Sequence, residues 1–137
     1  MSDYWLAAAI GAGTGGLVLA LFAFAPKQIR APQGVMIFNV MLWIYVGAQL
    51  VSGTLDHIIA ESVFALVAGG AVQALTLKWP PCVGIAILFH GVYDAIMGPH
   101  TGVADWYPPL CAGFDLVVGV GLTAFLLRDF RNAETTV

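Results

Sequence analysis

Five apolar stretches, each close to the length that crosses a bilayer, follow one another with only short polar breaks. A membrane-spanning helix takes about 20 apolar residues. Five of them would use about 100 positions, most of a chain of 137 residues. The sequence therefore predicts one all-α integral-membrane domain over residues 1–137, a five-helix transmembrane bundle with short loops. Prolines set the breaks: Pro26, Pro32, Pro80, Pro81, Pro99, Pro108 and Pro109 are all expected at helix edges. The predicted spans are 4–25, 34–53, 56–77, 80–97 and 108–127.

Charge supports this count. Only 9% of residues are charged, against roughly 25% in an ordinary soluble domain. A soluble globule, a disordered chain and a nucleic-acid partner are excluded on that ground. The five basic residues are Lys27, Arg30, Lys78, Arg128 and Arg131. With five spans they fall in the 1–2 loop, the 3–4 loop and the C-terminal tail, all on one side. The positive-inside rule makes that side cytoplasmic, giving N-out/C-in. Trp79 marks the inner boundary, while Tyr4, Trp5, Trp106 and Tyr107 mark the outer one. Trp43 falls mid-span and does not fit the belt. Ala23-Phe24-Ala25 resembles a signal-peptide cleavage site, but no basic residue precedes the apolar run and Pro26 follows, so the segment is read as a retained helix. Gly11 and Gly15 on span one give it a packing face, with a dimer contact as the alternative. Cys82 and Cys111 open spans from opposite faces, too far apart for a disulfide, and read as small apolar residues.

Ionisable residues inside spans are candidate functional groups because the bilayer penalises them. Here they are Glu61, His90, Asp94 and Asp115, with Asp56 and His57 at the mouth of span three. At 1.5 Å per residue, Asp94 lies about 6 Å below the outer boundary, Glu61 about 8 Å, Asp115 about 10 Å and His90 about 12 Å. Tyr45 and Gln49 on span two reach similar depths. The stripes His57–Glu61–Ala65–Gly69–Gln73, Cys82–Ala86–His90–Asp94 and Cys111–Asp115–Gly119–Thr123 combine these groups with small side chains, as helix–helix contact faces do. The expected product is an outward-facing intramembrane His/carboxylate pocket.

Three readings of that layer stay open. In the first, His57, Glu61, His90, Asp94, Asp115 and His100 supply ligands for a metal such as zinc or iron. In the second, His90 and Asp94, with Glu61 and Asp115, perform metal-free acid–base catalysis on a lipid or isoprenoid-like substrate entering from the bilayer. In the third, the cluster is structural, and the chain is a non-catalytic membrane subunit, alone or in an oligomer, or a small-ligand binding protein. A transport path is disfavoured, since the inner half offers only Thr14, Asn39, Gln73 and Thr123. The loop Gly98–Pro109 carries His100 and Asp105 above the layer, as a lid or entrance, or as an interfacial loop anchored by Trp106 and Tyr107.

Two segments carry a family likeness: Gly47-Ala48-x-x-x-Ser52-Gly53-x-Leu55 followed by Glu61, and His90-x-x-Tyr93-Asp94 followed by a Pro-rich loop, Cys111 and Asp115. This pattern, from Gly47 to Gly119, resembles a family of small bacterial integral-membrane proteins classed as a domain of unknown function. The resemblance implies a multi-pass protein of the bacterial cytoplasmic membrane, and no activity. The chain departs from it at Asp56-His57 and at Ala95-Ile96, where the family carries histidines.

Overall fold

The computed structural model describes residues 3–135. It is an all-α bundle of five helices: α1 (Asp3–Phe24), α2 (Lys27–Ser52), α3 (Leu55–Lys78), α4 (Cys82–Ile96) and α5 (Tyr107–Glu134), with a 3₁₀ turn at Gly98–His100. No strand occurs among the described residues. The helices α1, α2, α3 and α5 are long and apolar enough to cross a membrane. The shorter α4 is squeezed between Pro80-Pro81 and Gly98-Pro99. Fifteen residues rise only about 22 Å.

Four corrections to the expected spans concern the basic end. The second helix starts at Lys27 rather than Gly34 and carries Pro32 inside it. Proline is tolerated there because it sits in the second turn, where the one carbonyl it strands, that of Gln28, lies near the open helix start. Arg30 belongs to α2 and not to a loop, and it is buried. The fifth helix runs on through Arg128 and Arg131, which the expected boundary left in a tail. Arg30 donates from Nη1 to Asp129 Oδ2 at 2.8 Å and from Nη2 to the Ala23 carbonyl at 3.1 Å, and its guanidinium lies 5.4 Å from the Phe125 ring centre. Lys and Arg are good helix formers, so both helices run on past their apolar stretches, and the Arg30–Asp129 pair compensates the one buried charge.

Five antiparallel helices place Lys27, Arg30, Lys78, Arg128 and Arg131 toward one end, and Asp3, Asp56, His57, His100 and Asp105 toward the other. The helix α5 packs along α1 on one side and α4 on the other, while α2 pairs with α3. Close backbone approach makes the α1–α5 seam. A Cβ on Gly11 would collide with the Leu110 carbonyl, and one on Gly15 would stand 3.0 Å from the Phe114 oxygen. The Gly11–Gly15 face is therefore used within the chain. Phe22, Phe38, Leu42, Val46, Val83, Ile87, Val118, Leu122 and Leu126 fill the centre. Leucine, valine and phenylalanine side chains also cover the outside, among them Leu17, Val51, Leu77 and Phe89, as lipid contact requires.

Candidate functional site

The centre of the site is built by two neighbouring helices. His90 and Asp94 lie one turn apart on α4, and Asp115 lies on the facing side of α5. The helices can close on each other because Gly91 and Gly119 stand at the seam; a Cβ on Gly91 would come 2.9 Å from that of Asp115, and one on Gly119 would come 2.7 Å from the Leu88 nitrogen. His90 Nδ1 and Asp115 Oδ2 share a hydrogen bond of 2.8 Å. The same Nδ1 is 3.4 Å from Asp94 Oδ2. Asp94 and Asp115 are 0% exposed and His90 is 5% exposed. Among the described residues, these three form the one cluster of histidine, cysteine or carboxylate side chains whose ligand atoms converge, all within 4.8 Å of one another.

Aromatic residues and α2 complete the shell. Tyr45 donates its hydroxyl to Asp94 Oδ1. Its ring centre is 5.9 Å from that of His90, and Phe38 meets the imidazole edge-on at 6.1 Å. Tyr93 lies 5.9 Å from His90, stacks on Phe64 at 5.5 Å and donates to Glu61 Oε1 at 2.9 Å. Even so, each member of the triad keeps one buried heteroatom without a hydrogen-bond partner: His90 Nε2, Asp94 Oδ2 and Asp115 Oδ1.

The loop between α4 and α5 closes over this shell. Gln49 donates from Nε2 to the Thr101 carbonyl at 2.7 Å, and the Thr101 hydroxyl donates to the Gly98 carbonyl at 2.7 Å. Both Gln49 and Thr101 are buried. Gly98 has no side chain where Pro108 and the Tyr45 hydroxyl converge, so the turn sits directly on the tyrosine that holds Asp94. Gly102, with φ of 78°, takes the left-handed turn beside Ser52 that glycine permits. The loop thus covers the triad, and Trp106, packed on Tyr107 at 5.8 Å, borders it.

The layer expected from sequence is partly assembled. His90, Asp94 and Asp115 meet. Glu61 is half-buried and reaches the cluster only through Tyr93, because α3 packs chiefly on α2 and presents its Glu61 stripe to the flank of α4. His57 and His100 are exposed, one in the first turn of α3 and the other on the 3₁₀ turn, and neither joins the triad. The expected open pocket takes a different form: the triad is enclosed, and the adjoining cavity of about 480 Å³, between α1, α4 and α5, is lined by residues such as Trp5, Ala95, Ala112 and Leu116. Thr101 carried no sequence signal. The Arg30–Asp129 pair was legible in principle, since a basic residue so close to an apolar span needs an acidic partner. Comparison with protein-family models, curated proteins and solved structures returned no match.

Proposed function

We propose that this chain is a membrane-embedded enzyme in which His90, Asp94 and Asp115 hold a divalent cation of the zinc or iron class and act on a lipid-like molecule. The observation behind this reading is the charge and valence of the enclosed triad. Two carboxylates and one neutral imidazole balance a doubly positive ion, and a balanced set avoids most of the penalty of burying charge. Zinc bonds of 2.0–2.2 Å in tetrahedral geometry put ligand atoms about 3.3–3.6 Å apart; the 3.4 Å between His90 Nδ1 and Asp94 Oδ2 is of that size, and the 2.8 Å hydrogen bond to Asp115 Oδ2 would give up its proton and lengthen to admit the ion. Tyr45, bonded to the other oxygen of Asp94, is placed as the outer partner that orients a ligating carboxylate. Such an ion polarises a substrate oxygen or a bound water. The corresponding reaction is hydrolysis or isomerisation of an amphiphile arriving from the bilayer, with the active site toward the non-cytoplasmic face of a bacterial cytoplasmic membrane, N-out/C-in. The likeness to the bacterial family carrying His-x-x-aromatic-Asp belongs to this reading.

A second reading rests on the enclosure itself. A His90–Asp115 hydrogen bond at 2.8 Å with no exposed face also suits a non-catalytic subunit whose triad locks α4 to α5. Metal analysis of the detergent-purified protein separates the two. The enzyme reading expects close to one zinc or iron per chain, lost in His90→Ala and Asp115→Asn. Metal-free protein, prepared without chelator and restored to no ion by zinc or ferrous iron, overturns it in favour of the locked bundle.

A further inference from the structure

Beside the triad, the outer surface of the bundle carries a continuous furrow. The cavity of about 480 Å³ at the top of α1, α4 and α5 and a second of about 250 Å³ lower on the α4–α5 seam share Ala95, Ala112 and Leu116. Gly91, Ala95, Ala112 and Gly113 line it between larger side chains such as Trp5 and Leu116, with Leu88 at its lower end. From Leu88 to Ala95 the helix rises about 10 Å, roughly two-thirds of one leaflet of a 30 Å hydrocarbon core. A furrow of this depth and apolarity, opening on the lipid side, matches a single hydrocarbon chain lying along the membrane normal.

Two further features specify the occupant. At the floor, Gly91 leaves the partition to the triad thin: the point where its Cβ would stand is only 3.7 Å from Asp115 Oδ2. At the mouth, Asp105 lines the large cavity, and Asp3, Tyr4, Asp105 and Trp106 line an adjoining one of about 320 Å³. All five Lys and Arg residues belong to the opposite end. Two carboxylates among aromatic faces complement an ammonium group and repel an anionic head. We infer that this furrow binds the hydrocarbon chain of an amine-headed lipid, laid along the α4–α5 seam with Gly91 between it and the enclosed triad. Any reaction of the bound lipid rests on the enzyme reading, whereas binding itself does not require the metal.

The test uses the full chain in nonionic dodecyl maltoside micelles. These are doped with phosphatidylethanolamine carrying a diazirine on one acyl chain, or with phosphatidylglycerol carrying the same chain. After photolysis, cross-linked peptides are mapped by mass spectrometry. Cross-links from the amine-headed probe are expected to concentrate on residues 88–96 and 112–116, about fivefold above the anionic probe, the ratio expected for an exposed charge contact near 1 kcal/mol. Leu116→Trp, at a position facing outward, should abolish them, and Ala95→Trp gives an independent block. Asp3→Asn with Asp105→Asn should bring the two probes level. Unsubstituted protein that labels here yet contains no metal sinks the enzyme reading and not the furrow. Labelling spread evenly over the outward faces of all five helices, equal capture of both probes, or indifference to both tryptophan substitutions overturns the inference.

Discussion

Two buried polar clusters stand at opposite ends of the bundle, and they are built on different terms. At the basic end, Arg30 meets Asp129 one-to-one, Lys27 approaches the second carboxylate oxygen at 3.7 Å, and the Ala23 carbonyl takes a further guanidinium hydrogen. Positive charge matches or exceeds negative there, and the contacts tie the end of α1 to α2 and α5. At the acidic end, one imidazole faces two fully buried carboxyl groups; both ends keep buried heteroatoms without a hydrogen bond, Arg30 Nε and Asp129 Oδ1 at the first and His90 Nε2, Asp94 Oδ2 and Asp115 Oδ1 at the second. The first arrangement accounts for itself as a clasp. The second is short of positive charge by the standard the first one sets, and the proposed cation would make up that shortage.

The largest effect should come from breaking the clasp. Arg30→Met leaves Asp129 partly buried without its partner and is expected to cost about 3 kcal/mol, read as a lowered midpoint of unfolding in denaturing detergent. Arg30→Met with Asp129→Leu should recover most of that loss. Next comes Asp115→Asn, expected to keep the fold with a change below about 1 kcal/mol while metal content falls at least about tenfold. If it unfolds the bundle as severely as Arg30→Met, the two clusters are alike and the contrast is gone. A smaller effect is expected for Gln49→Ala. It frees the Thr101 carbonyl, lowers stability by about 1 kcal/mol, and should speed labelling of the half-buried Cys111 by an impermeant maleimide while Cys82, at the other end, reacts as before. Glu61→Gln should do least. The amide oxygen still accepts from Tyr93, so stability should stay within about 0.5 kcal/mol and metal content should not move. A loss of metal in that variant would extend the site to α3.

Much of the architecture was legible because prolines and apolar run length are local signals. Pro26, Pro80-Pro81, Pro99 and Pro108-Pro109 bound helices as expected, while Pro32 does not, since its position within a first or second turn depends on where α2 begins. The burial of Arg30 beside it was equally out of reach, since its partner Asp129 is 99 residues away in sequence. The pairing of His90 with Asp94 followed from helical spacing, and depth brought Asp115 to the same level. Depth is a single coordinate, however. It ranked Glu61 with the others but could not say that α5 would lie beside α4 while α3 turned toward α2. The order of helices around a bundle is set by which small residues let backbones touch, here Gly11, Gly15, Gly91 and Gly119, and that choice is a property of pairs of helices. His57 and His100 illustrate the same limit from the other side, as both lie toward the triad's end of the bundle yet are exposed and stay outside the cluster.

The brevity of α4 has a consequence for the surrounding lipid. A fifteen-residue helix is about 8 Å short of a 30 Å hydrocarbon slab. Its neighbours are long enough to impose no such deficit, so in a bilayer the acyl chains beside α4 would have to shorten or tilt to meet it. Membrane thickness then becomes a variable acting on this protein: a thin bilayer lets the polar boundary settle near Asp94 without distortion, whereas a thick one strains against the helix that carries half of the site.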